Sequence, residues 1–307
     1  MSKYSCPKSD CTVAVTSKCL LSHVPIETCP NVQSLGVDAS QAELERRGEA
    51  VPMPLIYHGN ELGFQQAGEV FAARYGHLIG VLGAHATGKT CLLCSLYLLA
   101  SCGDLRPRQL FAGSVTLPGF ESRLRLLRSW SEAVLPHKIV DHTLMADPRQ
   151  PGLLHLALMQ TAPIRRLRDL FFTDLPGEWT TTLIKRADVA ERFLFLRRAD
   201  GLIITLPAPQ LLGPETRHSQ IHSTRILLQR LRETVGIAHT VPIILAITRC
   251  DQTGPVVPPA VYQLVEFGRE LGFPNISHVP VAAFSDRPDV PSGMGLGSVL
   301  DTILQTT

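Results

Sequence analysis

One short stretch limits the possible folds of this chain more than any other feature. Residues 83–90 match the pattern G-x-x-x-x-G-K-[ST] at every fixed position. The apolar residues 77–82 before them predict a buried strand, and residues 89–100 after them predict a buried helix. Gly83 and Gly88 permit a turn that side chains would block, and a helix that begins there favours phosphate. The sequence therefore predicts a phosphate-binding loop between a strand and a helix.

Two side chains of this loop carry chemistry of their own. Lys89 is expected to reach the β- and γ-phosphates of a nucleotide, and the Thr90 hydroxyl is expected to ligate Mg²⁺. A second motif, D-L-P-G-E at residues 174–178, follows another predicted strand. We expect Asp174 to hold the water shell of the metal and the Gly177 amide to approach the γ-phosphate.

Predicted strands alternate with predicted helices along most of the chain. Strands are predicted at residues 77–82, 110–117, 153–159, 167–173, 201–206, 241–247 and 278–283. Helices are predicted at residues 60–74, 89–100, 120–133, 187–198, 217–234, 260–271 and 297–305. This alternation is typical of an α/β fold with a mostly parallel sheet that helices cover on both faces. The candidate site residues follow the carboxyl ends of strands, where such sheets bind ligands.

The N-terminal part differs in composition from the rest. It holds Cys6, Cys11, Cys19 and Cys29 in a stretch with little periodicity, and four thiolates would complete a structural zinc site. His23 is an alternative fourth ligand, and a tail whose cysteines bind nothing is the alternative structure. A short polar helix is predicted at residues 38–47, and prolines follow it. We therefore divide the chain into a Cys-rich, zinc-binding module with its linker at residues 1–50 and a main domain at residues 51–307.

The charge balance argues against several classes of partner. The net charge is +2, and the arginines at positions 123, 125 and 128 and at 165, 166 and 168 are predicted to face solvent. No aromatic residues alternate with them as stacking platforms, so no nucleic-acid partner is expected. The first ten residues are polar, and the most apolar window is interrupted by Gly-Lys-Thr, so neither a secretory signal nor a membrane span is predicted. A cytoplasmic protein without disulfides is expected.

The ordered motifs resemble those of the Ras-like P-loop GTPases, from residue 78 to about 284. The Cys-rich leader and the insertions are similar to those of predicted bacterial "double-GTPase" proteins of conflict systems. The resemblance implies that Asp251 reads the guanine ring, with Thr248 and Arg249 before it and the Ala282-Ala283 pair near the guanine carbonyl. It also implies nucleotide contacts from the first loop and the residue after it, which are Gly83, Ala84, His85, Ala86, Thr87, Gly88, Lys89, Thr90 and Cys91.

The sequence departs from the family pattern at positions that concern hydrolysis. His85 stands where a small glycine is common, and Glu178 stands where a glutamine often orients the attacking water. Arg249 replaces the usual lysine. The resemblance also implies a threonine that senses the metal. We predict that it is Thr143, in the loop before the strands at 153–159 and 167–173, with Thr116 as the alternative.

The resemblance implies a molecular switch that binds GTP or GDP with Mg²⁺, hydrolyses GTP slowly and binds a protein effector or activator. Two other functions stay open on the sequence alone. One is a pseudo-GTPase scaffold that only holds nucleotide, and the other is an ATP-using P-loop enzyme.

Overall fold

A computed structural model describes residues 4–8, 11–16, 18–19, 23–34, 59–105, 109–125, 151–161 and 165–305 of the chain. Several predictions fall outside these residues. They include Thr143, the helix at 38–47, the domain boundary at 50/51 and residues 126–133 of the helix predicted at 120–133. The division into two domains remains a prediction.

A seven-stranded sheet forms the centre of the molecule. Its strands are β3 Gly76–Leu82, β4 Gln109–Gly113, β5 Leu153–Gln160, β6 Arg166–Thr173, β7 Gly201–Pro207, β8 Ile243–Thr248 and β9 Ile276–Pro280. They lie in the order β4-β5-β6-β3-β7-β8-β9. The five strands from β6 to β9 in this order are parallel, whereas β5 pairs antiparallel with both β4 and β6. All residues of β3, β7 and β8 are buried, as their continuous apolar sequences require. The prediction of a mostly parallel sheet is confirmed.

Helices pack on both faces of this sheet. They are α2 Phe64–Ala73, α3 Lys89–Cys102, α4 Leu117–Arg123, α5 Gly177–Lys185, α6 Ala208–Leu212, α7 Arg217–Gln229, α8 Cys250–Thr253, α9 Pro259–Glu270 and α10 Leu296–Gln305, whereas α1 Val13–Thr16 belongs to the N-terminal segment. Helices α5, α7 and α9 share one apolar core with the sheet, and α3, α4 and α10 share another. Both faces of the sheet are therefore covered, and its carboxyl edge is left for the loops that follow the strands.

Some element boundaries and helix types differ from the predictions. The segment predicted as a helix at 187–198 is a 3₁₀ helix, Asp188–Arg198, whose buried Ala190, Phe193 and Leu196 lie three residues apart, as its period demands. Helix α7 continues into a π-helical turn, Arg230–Val235. Strand β9 ends at Pro280, so the predicted strand at 278–283 is too long and Ala282-Ala283 belong to the following loop.

The N-terminal segment forms a small hairpin-like unit. Strands β1 Tyr4–Ser5 and β2 Gln33–Ser34 pair antiparallel, and α1 and a 3₁₀ turn, Ile26–Thr28, lie between them in the sequence. The unit contacts the main sheet through Lys18, whose Nζ lies 2.6 Å from Oδ1 of the buried Asp200.

The cysteines of this segment do not assemble as predicted. Within the described ranges, no group of three or more His, Cys, Asp or Glu side chains is placed to hold a metal ion. The zinc site predicted for Cys6, Cys11, Cys19 and Cys29 is therefore not supported. Cys19 and Cys29 are buried, whereas Cys6 and Cys11 are half-buried. Burial, together with the neighbouring Cys6 and Cys19, raises the pKa of the Cys11 thiol.

None of the helices in the part of the chain that the structure describes has the length and apolar character needed to cross a membrane.

Candidate functional site

The loop between β3 and α3 is held in shape by one of its own threonines and by threonines from β7 and α5. Gly83 has φ +154°, and a Cβ at this position would lie 2.1 Å from Oγ1 of Thr205, so only glycine fits. The Thr205 hydroxyl lies 2.7 Å from that of Thr87, which itself donates to the carbonyl of Ala84. The Gly83 amide donates to Oγ1 of Thr180, at 3.3 Å. The loop backbone is thus fixed from the ends of β3 and β7 and from α5.

The loop that follows β8 contacts the same backbone from the other side. The Thr248 hydroxyl donates to the carbonyl of Thr87, and the Arg249 guanidinium donates to the carbonyl of Ala86, both at 2.7 Å. Arg249 has φ +61°, a left-handed conformation that directs the chain into α8. The arginine that replaces the expected lysine therefore joins the two loops by a charge-assisted hydrogen bond.

Lys89, the first residue of α3, points back into the loop. Its Nζ donates to the carbonyls of Gly83 and Ala84, at 2.8 and 2.9 Å. Burial lowers the pKa of this lysine to about 8, although the carboxylates of Asp174 and Glu178 oppose the shift. A buried ammonium beside a loop that opens with glycine is suited to receive anionic oxygens, because an anion would restore its ordinary ionisation.

Oxygen ligands suited to a magnesium ion meet next to Lys89. The Thr90 hydroxyl lies 3.3 Å from Oδ1 of Asp174, which directly follows β6 and is 1% exposed. A hydroxyl and one carboxylate, completed by phosphate oxygens and water, form the type of site that Mg²⁺ prefers in nucleotide-binding proteins. The two protein groups therefore fit this metal, with phosphate oxygens and water as its remaining ligands.

The second oxygen of Asp174 is held by an arginine that the sequence predicts to face solvent. Arg123, at the end of α4, donates from Nε to Oδ2 of Asp174 at 2.9 Å and forms an ion pair with Glu61. Arg123 is 8% exposed. The prediction that its cluster faces solvent is wrong for this residue, since the helical spacing of neighbouring arginines does not reveal a buried partner distant in sequence.

The motif after β6 also approaches the phosphate-binding loop closely. A Cβ on Gly177 would lie 2.3 Å from the backbone nitrogen of His85, so glycine is required where α5 meets the loop. The next residue, Glu178, places Oε1 3.3 Å from Nδ1 of His85, and both side chains are largely exposed. The two departures that concern hydrolysis, His85 and Glu178, are therefore in contact with each other at the mouth of the loop.

The residues predicted to read a base lie at the ends of the last two strands. Asp251 follows Arg249 by two positions in α8, and burial raises the pKa of its half-buried carboxyl. The Cys250 amide donates to the carbonyl of Val281, which links α8 to the loop after β9. In that loop the Ala283 carbonyl accepts a hydrogen bond from the Ser95 hydroxyl of α3, at 2.6 Å. Asp251 and the Ala282-Ala283 pair thus belong to adjacent loops.

The two threonine candidates for sensing the metal have different outcomes. Thr143 lies outside the described residues, so its role stays a prediction. Thr116 is fully buried at the start of α4, and its hydroxyl accepts a hydrogen bond from the amide of His155 at 2.8 Å. In this conformation it is committed to β5 and not to the metal site. Cys91 is half-buried in the first turn of α3, beside the loop.

Comparison with known families gives one match that covers most of the chain. The family model described as DO-GTPase2, Double-GTPase 2, matches residues 77–304. Among curated proteins, none matches the sequence.

Solved structures with a similar arrangement share little sequence with this chain. A mutation variant of SsGBP is 16% identical with a TM-score of 0.36, and the match covers 75% of this chain and 54% of that one. The Methanosarcina barkeri Roco2 RocCORdC structure bound to GDP is 14% identical with a TM-score of 0.39, covering 75% and 49%. The cytosolic domain of the T. maritima FeoB iron transporter, in its apo form, is 16% identical with a TM-score of 0.35, covering 75% and 63%. The matched part is at most about two thirds of each of these chains.

Proposed function

The chain belongs to the Double-GTPase 2 family, and from this premise we propose that it binds GTP and GDP with Mg²⁺, hydrolyses GTP slowly and contacts a protein partner differently in the two states. The observation that carries the proposal is the convergence of Lys89, Thr90 and Asp174 beside a loop that Thr248 and Arg249 tie to the predicted base-reading residue. Phosphate recognition and base recognition then share one rigid backbone.

Each described group has a separate task in this proposal. Lys89 neutralises the β- and γ-phosphates, and the amides between Gly83 and Thr90 donate to their oxygens. Thr90 and Asp174 would hold Mg²⁺, which supplies charge neutralisation on the phosphate oxygens. Asp251 accepts hydrogen bonds from the two donors on the guanine edge, and the Ala283 amide serves the guanine carbonyl.

Glu178 and His85 bear on the hydrolytic step. Glu178 occupies the position after the close-approach glycine, at which the family often orients water, and its carboxylate would repel the phosphates if it stood alone. The 3.3 Å contact with His85 Nδ1 gives that carboxylate a partner. We propose that the pair orients the attacking water, with Glu178 accepting its proton. Because such a pair lacks the neutral amide donor, we expect slow unaided turnover.

The same pair favours a second candidate function. A carboxylate beside the γ-phosphate suits a pseudo-GTPase that holds nucleotide and acts as a scaffold. Phosphate release distinguishes the two, because the scaffold binds GTP with the same residues and releases none.

Base choice provides the test of the proposed function. An ionised carboxylate only accepts hydrogen bonds, and guanine offers it two adjacent donors, whereas adenine presents an acceptor at its ring nitrogen. Xanthine carries a carbonyl in place of the guanine amino group. The Asp251→Asn variant is therefore expected to lose about 10- to 100-fold in GTP affinity and to gain affinity for XTP.

The measurement is the equilibrium affinity of each variant for GTP, XTP and ATP in Mg²⁺. Asp286→Asn is the matched control, because it removes the same charge from an exposed neighbour of Asp251. Equal affinities of wild type and Asp251→Asn for all three nucleotides would remove the guanine assignment. Preference of the wild type for ATP would favour an ATP-using enzyme.

A further inference from the structure

We propose that Glu61, Arg123 and Asp174 act as one unit toward Mg²⁺. Arg123 is the positioning residue that fixes the Asp174 carboxylate, and Glu61 restores the negative charge that Arg123 would otherwise cancel. This inference rests on the proposed function, because it assigns a task within the same nucleotide site to two residues that no sequence motif identifies.

The geometry assigns each oxygen of Asp174 to a different neighbour. Oδ1 faces the Thr90 hydroxyl at 3.3 Å, and Oδ2 accepts from Nε of Arg123 at 2.9 Å. A carboxylate held at one oxygen cannot rotate freely, so the other oxygen keeps its direction toward Thr90. Outer partners that orient a metal-binding group in this way commonly change metal affinity when they are removed.

All three nitrogens of the Arg123 guanidinium donate hydrogen bonds, with Nε directed to Asp174. Nη1 donates to the carbonyl of Gly119 at 2.9 Å, within the same helix, and Nη2 donates to Oε1 of Glu61. The arginine fork therefore spans two carboxylates and a carbonyl, a geometry that lysine does not reproduce.

Glu61 is fixed in turn by the backbone on either side of it. Leu62 pairs with Leu153 as an isolated antiparallel bridge, with hydrogen bonds of 2.9 Å in both directions. A Cβ on Gly152 would lie 2.0 Å from Oε2 of Glu61, and one on Gly119 would lie 1.8 Å from the carbonyl oxygen of Asn60. Both glycines admit the Glu61 segment against the site, so its position beside Arg123 is built into the fold.

The charges explain why a second carboxylate is present. Asp174 and Arg123 alone would form a neutral buried pair, with little attraction for a dication. Adding Glu61, whose side chain is 9% exposed, returns the unit to a net charge of −1, the charge of a single free aspartate. Charge interactions at these distances are strong because water is largely excluded. The unit thus combines a rigid Asp174 with an undiminished negative charge.

A purely stabilising role is a weak explanation for this cluster. Buried ion groups contribute little net stability compared with apolar residues of similar volume, because desolvation offsets their attraction. Here one of the two carboxylates also contacts the Thr90 hydroxyl beside the phosphate-binding loop, which no requirement of packing explains.

The experiment measures GTP affinity of the full chain as a function of Mg²⁺ concentration, and again in EDTA. Glu61→Gln keeps an acceptor for Arg123 and removes one charge. Arg123→Lys keeps the charge and loses the fork. For both variants we expect the Mg²⁺ concentration at half-effect to rise about 10-fold or more, with GTP affinity in EDTA unchanged. Glu266→Gln, which breaks the exposed pair with Arg269, is the matched control and should behave as wild type.

The outcomes separate the two proposals. Absence of Mg²⁺-dependent GTP binding in the wild type would overturn the proposed function, and this inference with it. Mg²⁺ dependence in the wild type that is unchanged in both variants would overturn the inference alone. Loss of GTP affinity in EDTA, accompanied by a lower thermal unfolding temperature in both variants, would show that the cluster only supports the fold and would also overturn it.

Discussion

At the scale of single residues, Lys89 is a buried side chain whose charged form is disfavoured by its surroundings. Its Nζ is satisfied by the carbonyls of Gly83 and Ala84, yet burial brings its pKa down to about 8. The loop therefore holds a cation whose charged form is disfavoured by burial, and a bound anion would stabilise that form. This is the arrangement expected of a binding residue and not of a stabilising one.

Replacing Lys89 tests this role directly. Lys89→Ala is expected to weaken GTP binding by about 100-fold or more, because a charge-assisted contact with the phosphates is lost. Its thermal unfolding temperature without ligand should not fall, since the substitution removes a buried charge. Lys185→Ala, at the exposed end of α5, is the control for charge. Normal GTP binding by Lys89→Ala would contradict the whole assignment of the loop.

Glu178 is the residue proposed to accept a proton during hydrolysis, and its substitution tests that role. If it accepts the proton of the attacking water, Glu178→Gln should lower the single-turnover rate of GTP hydrolysis about 10-fold or more and leave GTP affinity unchanged. Glu191→Gln, an exposed change in the 3₁₀ helix, is the control. The wild-type rate should itself lie well below about 1 per second, as in unassisted switches. A faster rate in Glu178→Gln would mean that the carboxylate obstructs hydrolysis.

At the scale of elements, strand β3 buries a titratable group at the end opposite the phosphate-binding loop. His77 is 1% exposed, and its Nε2 lies 3.4 Å from Nη1 of Arg168. Because the arginine can only donate, Nε2 accepts and Nδ1 carries the proton, and Nδ1 has no hydrogen-bond partner among the described residues. Burial lowers the pKa of His77 to about 4; Arg168, Arg166 and Arg198 add to the shift and Asp200 opposes it.

The sign of the pH effect follows from this shift. The unfolded chain binds a proton at His77 near pH 6.5, whereas the folded chain binds it only near pH 4, so stability falls as the pH falls between these values. Between pH 7 and pH 5 the loss is about 2 kcal/mol from this residue alone. Denaturant unfolding of wild type and His77→Gln at both pH values measures it. We expect a smaller loss in the variant, and equal losses would show that His77 does not carry the effect.

Element by element, the sequence predicts what local pattern determines and misses what distant contacts determine. Strands β3, β7 and β8 lie close to their predicted positions, because a strand buried on both faces is mostly apolar along its length. The predicted ends of β4 and β9 lie too far along the chain. The prediction for Arg123 is wrong because its partners Glu61 and Asp174 are 62 and 51 positions away in the sequence. A buried arginine has no signature in its immediate neighbours.

At the scale of the whole molecule, one buried carboxylate connects the N-terminal segment to the main sheet. Asp200, between the 3₁₀ helix and β7, accepts hydrogen bonds from Tyr75, from the amide of Leu78 and from Arg198, at 2.5 to 3.1 Å. Lys18 of the N-terminal segment adds a fourth, at 2.6 Å. The Lys18 and Arg198 cations, acting against burial, lower the pKa of Asp200. The hydrogen bonds from Tyr75, Leu78 and Arg198 to Asp200 are thus independent of the one from Lys18.

This separation leads to a prediction about the attachment of the N-terminal segment. Asp200→Asn should destabilise the entire fold, by about 3–5 kcal/mol, because it leaves the buried Arg198 guanidinium without its charged partner. Lys18→Met should leave the unfolding of the main domain nearly unchanged, since the remaining donors still satisfy Asp200, while the segment loses its ion pair. Hydrogen exchange is the measurement, and faster exchange in Lys18→Met should be confined to the described part of residues 11–34. Lys8→Met, which removes an exposed charge from the same segment, is the control and should exchange as wild type. Equal protection of the segment in Lys18→Met and wild type would show that the ion pair does not hold it. Exposed ion pairs often contribute little to stability, and 37% of the Lys18 side chain is in solvent.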